Sequence, residues 1–425
     1  MNQKLFTKDF TLVVIGQVIS LLGNASVRFV LPLYLLNQTG SSALYGLVTA
    51  CAFLPSILLS PVGGILADRV NKKNIMVCLD FLTALVILGF LLFVGKGNLI
   101  LLLAGTLIVL YGIAGAYQPS VQASVPALVC QDHVMAANSV INTVSSFASL
   151  LGPVLGGVLY SVYGLEPVLL FCMICFLFSA VMEIFITIPF SKHRSEKGVW
   201  SSVKGDLKES LEFVKRKKPV IGKVLLIVCG INLFLSAMII VGVPYLITEV
   251  LDFGMEQSSR FCGFAEGALA GGGLAGGICA GIWADRLKFR NAGRLLKACA
   301  ACTFPMGISL FFISSPYLNY GIIMVCCFFM MVFSAMFTIQ MMAVIQIETP
   351  VHLVGKVISV AITVSMCAQP LGNALYGILF EALKDHEYVA VLFSGVVSMG
   401  ISVWSERVFR FSQFPESNGA GGSHV

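Results

Sequence analysis

Gly63-Gly64-Ile65-Leu66-Ala67-Asp68-Arg69-Val70-Asn71-Lys72-Lys73 sets two charged pairs, Asp68-Arg69 and Lys72-Lys73, between two long apolar runs. The pattern returns as Gly281-Ile282-Trp283-Ala284-Asp285-Arg286-Leu287-Lys288-Phe289-Arg290, 217 positions later (285 minus 68) and again between apolar runs. A chain that writes one charged hinge twice at that distance is built from two halves.

The apolar runs say what the hinges join. Of the 425 residues 57% are hydrophobic and only 11% charged, against roughly 25% charged in soluble domains, and the mean hydropathy is +0.92. About 20 apolar residues cross the hydrocarbon layer as a helix. Runs of that kind cover 10–36, 44–67, 75–94, 99–119, 137–160, 167–190, 224–248, 261–284, 295–313, 320–345, 357–383 and 389–408. Barrel strands alternate over about 10 residues, whereas these runs are continuously apolar and longer. The sequence therefore predicts an all-α membrane protein of twelve transmembrane helices. The first run is too long for a leader and lacks a small-residue cleavage site, so it is read as the first span.

Charge fixes the expected orientation. With the N-terminus in the cytoplasm, all but Lys96, Arg260, Lys384 and the intramembrane Arg28 of the 27 Lys and Arg fall on cytoplasmic segments. The positive-inside rule then puts both termini in the cytoplasm. The net charge of +6 follows topology and does not form a nucleic-acid face. The 13 cysteines lie almost all in apolar spans and are read as packing residues, so no metal and no cofactor is expected.

The expected division is a first bundle over 1–190, a basic linker with an amphipathic surface helix over 191–219, a second bundle over 220–411 and a disordered tail over 412–425. Further anchors join the halves. Val243-Pro244-Tyr245-Leu246 answers Leu31-Pro32-Leu33-Tyr34-Leu35, and Pro370 answers Pro153. Two six-span halves in the same order and orientation are parallel repeats about an axis along the membrane normal, with function between them.

Intramembrane polar residues are costly and mark sites. Gln17, Ser20, Asn24 and Arg28 recur at spacings that put them on one helical face. Asp80, Glu183 and Glu266 are carboxylates inside spans; Asn232, Gln340 and Gln369 are polar groups that either line a cavity or bridge helices. Gly152-Pro153 with Gly156-Gly157, and the ladders Gly263-Gly267-Gly271 and Gly273-Gly277-Gly281, are spaced for close helix contact.

These residues resemble the major facilitator superfamily of secondary transporters. The hinge matches its signature G-x-x-x-D-[RK]-x-G-[RK]-[RK] at Gly64, Asp68, Arg69, Lys72 and Lys73, with Asn71 in place of the glycine; the copy keeps Gly281, Asp285, Arg286 and Arg290. Gly152-Pro153 with Gly156-Gly157 resembles the G-P-x-x-G-G signature of the family's antiporters and exporters. Within the family the chain is most similar to macrolide-efflux-like drug exporters, through Gly16-Gln17 with Ser20 and Gly23, Pro119 with Pro126, Ala137-Asn138-Ser139 and Gly355-Lys356-Val357. One departure is Tyr111, near the place where many proton-coupled exporters have an arginine.

The resemblance implies two pseudo-symmetric six-helix bundles, both termini cytoplasmic. It implies that Asp68 meets the start of span eleven near Gly355–Val357 and Asp285 the start of span five near Ala137, a latch closing the cytoplasmic side in the outward-facing state. Asp80 and Glu183 would lie on the periphery as structural groups, Asp80 pairing with Arg69, Lys72 or Lys73. Arg28 and Glu266 would line the central cavity and pair, or flank a substrate. Glu266 is the leading residue for exchanging protons against substrate, since its proton affinity depends on its hydration and on nearby cations.

The expected function is proton-coupled export of a hydrophobic, macrolide-like small molecule by a monomeric transporter of the bacterial inner membrane. The alternatives are a siderophore, lipid or peptide-metabolite exporter or flippase and, from another class, a non-transporting receptor or scaffold. The spans hold no convergent catalytic set, and the chain has no G-x-x-x-x-G-K-[ST] loop, so neither an enzyme nor an ATP-driven pump is expected.

Overall fold

The computed structural model describes residues 6–130, 133–188, 212, 218–251, 253–283, 292–349 and 354–411; the side chains of 60–69, 123, 126, 135, 346–348, 354–356, 359–362 and 411 fall outside that description. Among the described residues the chain forms twelve long helices: α1 (Lys8–Thr39), α2 (Ser42–Arg69), α3 (Lys72–Phe93), α4 (Leu99–Leu128), α5 (Val134–Tyr163), α6 (Leu165–Ile184), α7 (Pro219–Val250), α8 (Met255–Ile282), α9 (Ala292–Phe312), α10 (Pro316–Glu348), α11 (Val354–Ala382) and α12 (Glu387–Phe411). Eleven carry, in their described residues, a window apolar enough to cross a membrane; the other, α11, has 29 residues. The linker lies almost wholly outside the described residues, and the tail entirely so.

Helix ends follow local chemistry. Thr7 accepts from the backbone N–H of Phe10 (3.2 Å) to start α1, and Gly40, at φ +61°, closes it in the left-handed conformation that a side chain resists. Asn71, the departure from the family signature, is the N-cap of α3: its Oδ1 accepts from Lys73 N (3.1 Å), and its φ of −59° does not call for glycine. A side chain that satisfies an orphan donor replaces the signature residue here. Two irregularities had no sequence signal. Helix α7 widens into π turns at Asn232–Ser236 and Leu246–Val250, and α9 is interrupted between Ala301 and Thr303.

Within the N-terminal half, α1 packs on α5 and α6, α3 on α4 and α6, and α2 on α4; in the C-terminal half, α8 packs on α10, α9 on α12, and α7 on α11. Two crossings join the halves, α2 with α11 and α5 with α8. Both are made by facing glycines. A Cβ on Gly377 would lie 2.7 Å from Ser42 O and 3.1 Å from Gly46 Cα, and one on Gly263 would lie 2.8 Å from Pro153 O and 3.2 Å from Gly157 Cα. Small residues let backbones touch where lipid supplies no hydrophobic drive.

The first α8 ladder serves this contact, with Gly267 against Val154. The second does not act as expected. A Cβ on Gly277 or Gly281 would meet nothing within 4 Å, and the close approach to α10 is made instead by Gly272 at Phe328 O and Gly276 at Val332 O. Four-residue spacing identified a small-residue face, but which face meets a neighbour depends on the helix rotation.

Among the described residues the halves meet at one end. At the end away from the helix termini Lys8 and Phe411, Leu36, Tyr45, Leu246 and Phe380 belong to one apolar core spanning both halves. Hydrogen bonds cross the same end: Asn37 Nδ2 donates to Ser259 Oγ (3.0 Å), Ser42 Oγ to Gly377 O (2.9 Å), and Ser41 Oγ and Ala43 N to the Glu381 carboxylate (2.6 and 3.0 Å). At the other end the buried clusters separate. One, around Phe10, Met76 and Val125, lies wholly in the first half; another, Ile221, Leu225, Ile345 and Val357, lies wholly in the second. Among the described residues the bundle is sealed far from its helix termini, and its buried clusters are separate near them.

Candidate functional site

A cavity of about 1000 Å³ lies between the halves, at the upper end of the range for small-molecule sites. Its wall is largely aromatic and aliphatic: Phe29, Phe53 and Phe176 with Tyr45, Tyr111 and Ile240. Asn24 and Arg28 of α1 enter from the first half and Glu266 of α8 from the second. Arg28 and Glu266 each lie 11 residues from the sealed end of their helix (39 minus 28, 266 minus 255), about 16 Å at 1.5 Å per residue, so both face the cavity at similar depth.

They do not form an ion pair. The Arg28 guanidinium lies 3.6 Å above the centre of the Tyr111 ring, and Phe53 meets the same ring edge-on at 5.2 Å. A cation over an aromatic face is held by the ring quadrupole, worth roughly 0.5–2 kcal/mol according to hydration. Tyr111 thus has a positive role: it anchors an arginine supplied by α1. On the other side, Tyr45 donates to Ile240 O (3.2 Å) and is within electrostatic reach of Glu266.

The stripe on α1 divides between two environments. Asn24 and Arg28 face the cavity, whereas Gln17 is fully buried and donates to Tyr117 Oη (2.6 Å), which donates to Glu183 Oε1 (2.8 Å). Ser20 Oγ donates to Asp80 Oδ1 (3.0 Å). This corrects the peripheral place expected for Asp80 and Glu183, while the expected pairing of Asp80 with Arg69 falls on a side chain outside the described residues. Asp80 and Glu183 are 2% and 0% exposed, Asp80 lines the cavity, and among the described residues neither has a cationic partner. Sequence position gives a carboxylate's depth along its helix; its rotation toward α1 and α4 comes from packing.

Of the remaining polar residues, Asn232 bridges two helices and Gln369 bonds within its own. Asn232 Nδ2, in the first π turn of α7, donates to Ser365 O on α11 (3.0 Å), and Gln369 Nε2 donates to Asn373 Oδ1 (2.9 Å). Gln340 is buried on α10. Gly152 and Gly156 face α1 at Ala25 and Ser26, whereas Gly157 faces α8, so one motif serves two neighbours. Pro153 and Pro370 lie inside α5 and α11. Of the gating residues, Gly64, Asp68 and Arg69 belong to the last turns of α2, Lys72 and Lys73 open α3, and Gly281 is in the last turn of α8. The side chains of Asp68 and Arg69, and residues Asp285, Arg286 and Arg290 altogether, lie outside the described residues.

Two pseudo-symmetric six-helix bundles enclosing a central cavity define a secondary-transporter architecture. Residues 13–373 match the family model for the Major Facilitator Superfamily. The chain belongs to that superfamily: it is a multi-pass membrane transporter, not an enzyme. It is 23% identical over 392 residues to a protein named "Macrolide efflux protein A" from Streptococcus pyogenes, covering 91% of this chain and 93% of that one. It is 32% identical over 185 residues to "Multidrug resistance protein MdtG" from Salmonella typhi, covering 41% of this chain and 45% of that one. Among solved structures, the nucleoside transporter NupG matches with a TM-score of 0.73 at 12% identity over 96% of this chain and 100% of that one. An inward-facing bacterial homolog of the human lysosomal transporter Spinster matches with a TM-score of 0.73 at 13% identity over 96% and 98%. Likeness at such identities speaks for the fold.

Proposed function

We propose that the chain exports a bulky, largely apolar small molecule by alternating access, driven by the proton gradient. The observation that carries this is the cavity: a large aromatic and aliphatic space that an arginine, held by Tyr111, and a carboxylate, Glu266, face from opposite halves. Such a wall binds by area and polarisability, while the two charges orient polar ends of the substrate. The efflux and multidrug relatives favour the same substrate class. With the termini in the cytoplasm by the positive-inside rule, the sealed end faces outside and this conformation is open to the cell interior.

Reconstituted vesicles given a panel of labelled hydrophobic compounds, with and without an imposed pH difference, test the reading. Gradient-dependent movement of at least one compound is expected, lost in Glu266→Gln with binding retained. Movement of sugars or nucleosides alone would overturn it. The hinge is assigned to the opposite state, in which Asp68 and Asp285 hold the cytoplasmic end closed against the starts of α11 and α5, where helix dipoles favour anions. Spin-label distances across that end are expected to shift toward the open population in Asp68→Asn; unchanged populations would remove the latch.

A further inference from the structure

Beneath the cavity, in the part of the membrane nearer the helix termini, α1, α3, α4 and α6 enclose a polar cluster of Gln17, Ser20, Asp80, Tyr117, Ser179 and Glu183. Three of its oxygens, Gln17 Oε1, Asp80 Oδ2 and Glu183 Oε2, are buried without a hydrogen-bond partner among the described residues. All three are acceptors when the carboxylates are ionised. Ser179 Oγ, on α6 one turn before Glu183, donates to Gly16 O (3.1 Å).

Buried acceptors facing acceptors lack hydrogen. The two carboxylates are close enough to repel, and the nearest cavity-lining cation, Arg28, is eight residues beyond Ser20 on α1, about 12 Å along the helix. Tyr117 is the other titratable side chain in the cluster; the facing groups on α1 are Gln17 and Ser20, and on α6 Ser179 beside Glu183. Two unpaired charges at this depth each cost several kcal/mol. An added hydrogen on one carboxyl removes a charge, ends the repulsion and supplies a donor. A metal ion would instead need a coordination shell, and the described residues hold no group of three or more His, Cys, Asp or Glu that could bind one.

We propose that Asp80 and Glu183 form a second proton-carrying site, sharing one proton that is loaded and released through the cavity. It rests on the export reading above and adds to Glu266 a site in the other half. In loading, a hydronium ion in the cavity gives up a proton to Asp80, which has the cavity-facing position, and is left as water; Tyr117, which also lines the cavity, holds Glu183 beside it through the Oη–Oε1 hydrogen bond (2.8 Å). Release reverses the step, with no change of oxidation state. The corresponding helices of the other half carry a neutral pair: Lys297 on α9 binds Glu406 on α12 at 2.7 Å. Where that half sets an acid against a base, this half sets two acids side by side.

Infrared difference spectra of the purified protein between alkaline and acid buffers test the site without requiring transport. A carboxylic C=O band that appears on acidification is expected, lost or shifted in both Asp80→Asn and Glu183→Gln and shifted in Tyr117→Phe. In vesicles Glu183→Gln, whose side chain does not line the cavity, is expected to retain substrate counterflow, which also shows that it is folded, while losing pH-driven accumulation at least tenfold. Spectra that do not differ from wild type in either carboxylate variant, full pH-driven accumulation in Glu183→Gln, or bleaching of the band by sodium at fixed pH would each overturn the proposal. A wild type whose transport ignores pH would sink the export reading instead, leaving the spectroscopic result to judge the site.

Discussion

In the first half Gly152 of α5 lies against Ala25 of α1; in the second, Gly372 of α11 lies against Ala237 of α7. Likewise Gly157 meets Gly263 on α8, and Gly377 meets Gly46 on α2. The close contacts repeat, but the charges do not. The α3–α6 pair holds two carboxylates, Asp80 and Glu183, and the corresponding α9–α12 pair holds Lys297 with Glu406. Backbone contacts tolerate little change, because one methyl at a 2.8 Å approach forces the helices apart. A buried charge can change sign whenever its local compensation changes with it. Duplication has therefore kept the packing, while the charges of the two halves differ.

Substitutions at the crossings should have the largest effect and should treat the halves alike. Gly157→Val and Gly377→Val are each expected to lower stability by about 1–3 kcal/mol through overpacking and to abolish transport, read by thermal unfolding in detergent and vesicle flux. A loss confined to one crossing would break the symmetry. Next comes the hinge, where the first copy starts α3 with the Asn71 cap and the second has Lys288 at the matching offset of 217. Asn71→Ala is expected to cost about 1 kcal/mol and Asn71→Gly only a few tenths, measured by the same unfolding assay. Equal losses would show that the cap contributes nothing.

The charge pair of the second half is partly exposed, its side chains at 35% and 21%, so the double variant Lys297→Met with Glu406→Gln should cost less than about 1 kcal/mol and leave pH-driven flux intact. Loss of coupling there would mean that both halves carry protons through these helices. Smallest of all, Arg260→Gln, which unpairs the exposed Glu256 on α8, should change the unfolding midpoint by no more than about 0.5 kcal/mol permits.

Much of this architecture can be read from the chain alone. Span number, repeat and hinge positions depend on run length and on residues that cannot lie in hydrocarbon, both local properties; the run 10–36 became Lys8–Thr39 once the capping residues were included. Arg28 and Glu266 stood out as charges at matching depth. The cation–π stack did not, because Tyr111 lies 83 positions from Arg28 (111 minus 28) and only the packing of α1 on α4 brings them together. Asp80 and Glu183 were visible as charges but misplaced: hydropathy gives depth in the membrane and is silent about rotation. The π turns of α7, the first of which carries Asn232 with its bond to Ser365 O, have no counterpart in local propensity.

The bare ridges where α2 crosses α11 and α5 crosses α8 bear on how such a molecule moves. Interlocked side chains act like teeth, which must change rotamer before one helix can advance past another. Polypeptide running over polypeptide at Gly46, Gly157, Gly263 and Gly377 has few teeth to disengage, so a small roll trades one set of weak contacts for an equivalent set, and the main resistance comes from the polar clasps around Glu381 and Asn37.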